Sequence, residues 1–483
     1  MKPRGLDWDL PEFDRLLGQA KDLIIERYAN MEEANTFSGL TPTEVRERFT
    51  EELPAGPMAM DALMDRVKAD ILDTATLNIG PNMYAYVMTC GTQVSVLAEM
   101  LAAAINQNGA KWHLGPALSE IEQRVIQWGG EFIGFSDQAG GSLVSGGSAA
   151  NLTCLSVARN QMLGEEIAAK GMFGLPLITL YTSTEAHGCL EKCVEQMGIG
   201  TNNLRRIPVD QMFHIRTDLL ADRIREDLRA GLKPMCIIGS AGTVNTGAVD
   251  PLDDLAEIAS QYGVWLHIDG AYGGMAAALE SQKGLFKGFN RADSIALDFH
   301  KWLYQPYEAG CALFKGWDAS RKTFHHQAAY LSTDLTGDRR VDLSDLSFQL
   351  SRNFKALKIW MTFNAFGTER LRQEIEADLG KARYLAQVLR TSTDFELVQE
   401  PELSIVCFRY LGTNRGSAER VDRLNQAIIP ALEKDGRVFI TGTKIRGIPV
   451  IRACFVNHRQ NNGDIDRLIA VIREVGEQTA SNL

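Results

Sequence analysis

Val264-Trp-Leu-His-Ile-Asp-Gly-Ala-Tyr-Gly-Gly274 and, further on, Asp293-Ser-Ile-Ala-Leu-Asp-Phe-His-Lys-Trp-Leu303 decide the fold. Two apolar runs inside them, Val264 to Ile268 and Ser294 to Leu297, are short, rich in β-branched or large residues, and bounded by glycine or charge. Runs of that kind are buried strands of an α/β sheet. The first ends in His267 and Asp269, the second in His300 and Lys301. A carboxylate and a lysine at the ends of neighbouring strands lie where open α/β sheets place their ligands.

These groups suit one chemistry well. A lysine forms a Schiff base with an aldehyde cofactor, and a carboxylate keeps that cofactor's pyridine nitrogen protonated. Without partners, both would be costly in a core. A buried Asp269–Lys301 ion pair serving structure alone accounts for the two strands equally well. The rest of the chain has to separate the readings.

Upstream, strands alternate with helices. Leu177–Tyr181, Leu204–Val209 and Met235–Gly239 read as strands; Ala186–Gly198, Asp218–Ala230 and Leu252–Tyr262 read as helices. That order means a mostly parallel sheet with helices on both faces. His187, Thr243, Asp269 and Lys301 all fall at or just past strand ends. Alone, His187 reads as a satisfied core histidine; in this position an imidazole can stack on a planar cofactor. Ser142-Leu-Val-Ser-Gly-Gly-Ser-Ala-Ala-Asn151 runs into a helix from Leu152 to Met162, so bare N–H groups and a positive dipole end face outward. This is an anion site, although such turns are also common as plain structure. Ser119 and Glu122 stand in capping-box spacing at the start of a helix from Ser119 to Phe132.

Downstream of Lys301, Gly310–Phe314 reads as a further strand. Phe324 to Leu343 is long, polar and aperiodic, the texture of a lid or binding loop, and carries the phenol of Tyr330. An exposed tyrosine without a role is the plainer reading of that residue. Strands Ile405–Tyr410, Val438–Thr441 and Val450–Val456, with helices Ala418–Lys434 and Ile465–Glu477, form a smaller α+β unit. At the other end Glu12–Ala29, Thr43–Glu52 and Met58–Leu72 are amphipathic helices that would pack on a second subunit. The expected division is 1–80 helical, 81–375 the large domain and 376–483 the small one.

With 483 residues, the chain exceeds a single small core. It holds 50 basic against 61 acidic residues, a net charge of −11, which disfavours nucleic acid as a partner. Eight scattered cysteines, with no CxxC pair or Cys/His cluster, support neither a metal nor a disulfide framework. Cys189 and Cys193, one helical turn apart, are better explained by packing. The amino terminus lacks the apolar core of a signal peptide, and no run reaches the length of a membrane span. The expectation is a soluble cytoplasmic protein with no membrane partner.

Ser145-Gly-Gly-Ser-Ala-Ala-Asn-Leu, Glu185-Ala-His-Gly-Cys-Leu-Glu-Lys, Ala241-Gly-Thr-Val-Asn-Thr-Gly-Ala-Val-Asp, His267-Ile-Asp-Gly-Ala-Tyr-Gly-Gly and Asp298-Phe-His-Lys-Trp resemble, in order and across most of the chain, the group II pyridoxal-phosphate-dependent amino-acid decarboxylases. The resemblance implies a fold-type-I (aspartate aminotransferase-like) α/β large domain, pyridoxal 5′-phosphate (PLP) as cofactor, an amino-acid substrate and an obligate homodimer. It implies that Lys301 holds the cofactor as an internal aldimine, Asp269 pairs with the pyridinium nitrogen, His187 stacks on the ring and Thr243 approaches the 3-hydroxyl. Gly147 and Ser148 would cradle the phosphate, with Asp298 or His300 nearby. Loss of CO2 would then give a quinonoid that Tyr330, on a mobile loop, reprotonates. Tyr86, Thr89, Trp112 and Arg452 match the substrate side. Ala149 stands where many members have glutamate and Asp298 where some have asparagine. Val87, Met88, Asn108 and Ala110 replace bulkier or more apolar residues, which argues against a large aromatic substrate. Rival readings are an aldehyde synthase, an aminotransferase or a carbon–carbon lyase with the same cofactor, or a non-catalytic binding protein.

Overall fold

The structure, a computed structural model, describes residues 5–164, 166–325, 340–412 and 416–483. The chain forms two compact units, one of residues 89–386 with 399–406 and one of residues 1–88, 387–398 and 407–483.

The larger unit is built on a seven-stranded sheet. Its strands are β1 (Gly140–Val144), β2 (Ile178–Ser183), β3 (Leu204–Ile207), β4 (Lys233–Ser240), β5 (Trp265–Asp269), β6 (Ser294–Asp298) and β7 (Gly310–Phe314), in the order β1-β7-β6-β5-β4-β2-β3. From β3 to β6 all pairings are parallel; β7 runs against both β6 and β1. The mostly parallel sheet expected from the alternation is present. Its central strands are buried along their length, as strands covered on both faces must be.

The helix begins at Gly147, the second glycine of the turn, and runs to Leu163, whereas the sequence suggested a start at Leu152. Ala150, Cys154 and Val157 of this helix pack on Ala296, Ala312 and Phe314 of the sheet, and the small side chains let it approach closely. Cys189 and Cys193 lie in the neighbouring core with Leu155, Leu180 and Ile238, and all eight cysteines are buried thiols. The proposed capping box at Ser119 and Glu122 does not form. Pro116 takes the first helical position after Gly115, which leaves Ser119 inside the helix Pro116–Phe132. Glu122 is instead a buried partner of the Arg352 guanidinium and accepts the Leu143 amide at 3.1 Å.

The second unit contains helices Leu10–Ala29, Pro42–Glu47 and Met60–Arg66, the last continuing as a π-helical turn to Leu72, and the helices Ala418–Asp435 and Asn462–Ala480. A four-stranded sheet runs β10-β11-β9-β8, where β8 is Phe395–Leu397, β9 Ile405–Tyr410, β10 Thr441–Ile445 and β11 Ile448–Cys454. The strand expected at Val438–Thr441 begins later. Arg446 and Gly447, both at positive φ, close a two-residue hairpin between Ile445 and Ile448 that sets the register of β10. Phe439 instead exchanges backbone hydrogen bonds with Asn82 and Tyr84. Among the described residues no helix is long and apolar enough to cross a membrane.

Candidate active site

Since β1, β2, β4, β5 and β6 point the same way, their carboxyl ends share one edge of the sheet. Val144 there leads into the Gly146–Gly147 turn, Ser183 towards His187 and Ser240 towards Thr243; Asp269 ends β5, and Asp298 ends β6 just before Lys301. Parallel strand order has thus gathered groups that lie far apart in the chain.

Lys301 sits in the short helical turn Phe299–Trp302, its Nζ 3.0 Å from Asp298 Oδ2. Burial pulls the lysine's pKa down, but Asp298, with smaller help from Asp269 and Tyr307, outweighs it and holds the amine above its ordinary value. Asp298 is 2% exposed, and its Oδ1 has no hydrogen-bond partner among the described residues. His300 Nε2 is 3.6 Å from Asp298 Oδ2, and its Nδ1 accepts the Ala309 amide at 3.0 Å. Burial lowers the pKa of this imidazole, whose ring centroid lies 4.6 Å from that of Tyr307 with the planes tilted by 44°. The glycine turn closes the corner. A Cβ on Gly147 would stand 2.9 Å from both Ala271 Cβ and Asp298 Oδ2, and one on Gly310 would stand 2.5 Å from Gly146 Cα.

Asp269 accepts the Ala271 amide on Oδ1 and the Asn151 amide on Oδ2, each at 3.2 Å. Its own carbonyl takes the Ala241 N–H at 2.9 Å, tying β5 to the loop after β4. In that loop Thr243 is buried, with its hydroxyl 3.0 Å from Thr246 Oγ1 and accepting the Ala248 amide. Asp250 pins the loop by accepting the Ser240 and Ile215 amides, both at 2.8 Å, and burial pushes its carboxyl up to about 6. His187 is exposed and its Nδ1 accepts the Cys189 amide; Ser148 is likewise exposed.

Lys301, Asp298, His300 and Gly147 therefore meet directly, and Asp269 joins them through Ala271. His187 and Thr243 share the edge on their own loops. Thr89 and Trp112 belong to the same unit: Thr89 is buried with its hydroxyl unpartnered among the described residues, and Trp112 donates its indole N–H to Glu120. Tyr86 and Arg452 belong to the other unit, where Arg452 donates to the Tyr86 carbonyl at 2.8 Å. Tyr330 lies outside the described residues. Asn151 and Tyr307 received no role from the sequence. Asn151 was visible as the residue one turn beyond Gly147, whereas nothing in periodicity marks Tyr307. Among the described residues no group of three His, Cys, Asp or Glu side chains is arranged to hold a metal ion.

The residues present fit a cofactor that carries an aldehyde and an anion. An amine stands beside a glycine turn at the N-terminus of the helix Gly147–Leu163, with one buried carboxylate oxygen unsatisfied and a second carboxylate on the next strand.

Comparisons with known proteins agree. The sequence profile described as "Pyridoxal-dependent decarboxylase conserved domain" matches residues 42–411. An aromatic-L-amino-acid decarboxylase of Bacillus atrophaeus is 31% identical over 477 residues, 99% of this chain and 98% of that protein. A phenylacetaldehyde synthase of Petunia hybrida is 28% identical over 458 residues, 92% of this chain and 90% of that one. The crystal structure of Catharanthus roseus tryptophan decarboxylase in complex with L-tryptophan superposes with a TM-score of 0.87 at 27% identity, covering 99% of this chain and all of that one.

Proposed function

The chain belongs to the pyridoxal-dependent decarboxylase family, whose members are PLP-dependent carboxy-lyases, and from that premise we propose that it converts an aromatic L-amino acid to the corresponding amine and CO2. The observation that carries the reading is the meeting of Lys301, Asp298 and the Gly147 turn one strand away from Asp269. In it, Lys301 would hold the cofactor covalently, Asp269 would pair with its ring nitrogen and His187 would cover the ring. Thr243 would approach the 3-hydroxyl, and Gly147, Ser148 and His300 would receive the phosphate at the helix N-terminus. When bound, PLP supplies the electron sink that draws in the bond pair released with CO2. Tyr330 would return a proton to the α-carbon, and Thr89 and Trp112 of the larger unit would contact the substrate.

The aromatic class rests on the relatives and on one correction. Asn108, whose polarity argued against an aromatic side chain, spends its carbonyl oxygen on the Ala110 and Arg352 amides at 3.0 and 3.2 Å. That oxygen is committed to the backbone and is not an acceptor offered to substrate.

A cytoplasmic homodimer accompanies this reading. The helix Gln93–Ile105 exposes Leu97, Met100, Leu101 and Ile105, and the helix Leu10–Ala29 exposes Leu10, Phe13, Leu17 and Ile25. Apolar faces of this kind mark protein interfaces, and eight buried thiols suit a reducing compartment.

Borohydride reduction of the holoenzyme followed by peptide mapping, run beside a panel of L-amino acids assayed for CO2 and amine, tests the proposal. We expect a pyridoxyl group on Lys301 and equimolar CO2 and amine from an aromatic amino acid. A label elsewhere, or release confined to acidic or diamino substrates, overturns it. The aldehyde-synthase relative favours a second reading, in which O2 is consumed and aldehyde, ammonia and peroxide accompany CO2. Replacing Tyr330 with Phe should shift products from amine towards aldehyde; unchanged amine output would remove Tyr330 as the proton donor.

A further inference from the structure

Behind Asp269 lies a chain of buried polar side chains that no part of the proposed reaction uses. Trp265 Nε1 is 2.8 Å from Ser294 Oγ, and Ser294 Oγ is 2.9 Å from His267 Nδ1. His267 Nε2 is 2.7 Å from Asn151 Oδ1, and Asn151 Nδ2 is 3.2 Å from Asp269 Oδ2. Ser294 and His267 are fully buried, and Asn151 is 1% exposed.

The direction of every hydrogen bond is fixed from the two ends. Asn151 Nδ2 is also 2.9 Å from the Gly147 carbonyl, which can only accept, and 3.6 Å from Cys189 Sγ. The amide nitrogen therefore faces Gly147 and Asp269, and Oδ1 faces His267. An acceptor in front of Nε2 requires the imidazole proton there. Nδ1 is then an acceptor, consistent with burial that pushes this imidazole down to about 4 and so keeps it neutral. The Ser294 hydroxyl must donate to Nδ1, and the indole N–H of Trp265, which can only donate, takes the hydroxyl's other side. The Ser294 carbonyl, 3.2 Å from Nδ1, then shares no proton with it. Four residues donate one way, towards the aspartate.

We propose that Asn151, oriented by neutral His267, is the positioning residue that presents a proton-free Oδ2 of Asp269 to the cofactor's ring nitrogen, and that through Gly147 it ties this carboxylate to the turn beside Asp298. The inference rests on the reading of Asp269 given above. An acid group on the ring nitrogen works only as an acceptor of the pyridinium N–H, and a donor fixed on its other side keeps it one.

The test uses holoenzyme reconstituted with PLP labelled with 15N in the ring, its nitrogen resonance followed against pH, together with the cofactor dissociation constant. Asp269→Asn is the reference: it should lose the protonated-ring signal, and if it does not, the assignment of Asp269 itself fails. Asn151→Asp puts an acceptor where the amide donated. We expect its ring nitrogen to deprotonate at a pH at least one unit below wild type, with about tenfold weaker cofactor binding. Ser294→Ala leaves Nδ1 only the Ser294 carbonyl, which favours the opposite tautomer, and should shift the same titration in the same direction by less. Circular dichroism reports folding; should Asn151→Asp not fold, Ser294→Ala decides alone. Ring-nitrogen titrations identical to wild type in the folded variants, beside a changed Asp269→Asn, overturn the inference and leave the role of Asp269 standing.

Discussion

Asp298 Oδ2 sits 3.0 Å from Lys301 Nζ, while Asp298 Oδ1 faces no hydrogen-bond donor among the described residues. The lysine is therefore held as an ammonium by a carboxylate that itself stands against the Gly147 turn, where an anion is expected. Without that carboxylate, burial alone would depress the amine. Asp298→Asn should raise the fraction of free amine at neutral pH and remove a negative charge beside the phosphate. Apoenzyme of this variant should capture PLP faster, by about tenfold for each unit the amine's pKa falls. Stopped-flow absorbance on mixing apoenzyme with PLP reads this directly, and slower capture would contradict it.

Gly147→Ala tests the cradle. The added methyl would lie 2.9 Å from both Ala271 Cβ and Asp298 Oδ2, a contact that must be relieved by moving the turn. Overpacking of this size costs ~1–3 kcal/mol, which corresponds to a loss of about 5- to 150-fold in cofactor affinity. Equilibrium titration with PLP, with circular dichroism unchanged, is the expected pair of results.

His267 is fully buried with its pKa pushed down to about 4. Between pH 4 and 6.5 the unfolded chain binds a proton that the folded chain refuses, so stability is present above about 6.5 and is lost as pH falls. From pH 7 to 5 this amounts to about 2 kcal/mol. Asp250, pushed up to about 6, acts oppositely: its burial penalty is relieved as pH falls from about 6. His267→Gln removes the first effect and leaves the second. Its unfolding free energy in denaturant should therefore fall less between pH 7 and 5 than that of the wild type; equal slopes would rule out a neutral, proton-refusing His267.

Arg352 anchors β1 from below. It donates to Ser142 Oγ and Ser347 Oγ at 3.0 Å and to the Leu143 carbonyl at 2.7 Å, besides pairing with Glu122. Arg352→Ala strands a buried carboxylate and should cost ~3–5 kcal/mol, whereas the double change Arg352→Met with Glu122→Leu should recover most of it. Denaturant unfolding of the two variants distinguishes a stranded charge from lost packing.

Much of the larger unit was legible because its strands are continuous apolar runs ended by charge, and a run buried on both faces has few alternatives. β7 was placed to the residue, and the strand ends carrying Asp269 and Lys301 within one residue. Boundaries failed where a partner distant in sequence decided them. Glu122 left its capping box because Arg352 offered a buried cation, and β10 took its register from the Arg446–Gly447 hairpin.

The sequence by itself determined which chemistry is present: a lysine, two carboxylates, an imidazole and a glycine turn, each at the end of a strand, because strand ends are written locally in hydrophobic pattern and turn residues. Only the tertiary structure decided which carboxylate touches the lysine. Asp269 was the partner considered in a purely structural ion pair, yet Asp298, three residues before Lys301, holds the ammonium, while Asp269 is held from behind by Asn151 and His267. Spacing allows an Asp298–Lys301 pair but cannot rank it against Asp269 on the neighbouring strand, and the hydrogen bonds among Asp269, Asn151 and His267 join different elements at distances that no spacing along the chain encodes.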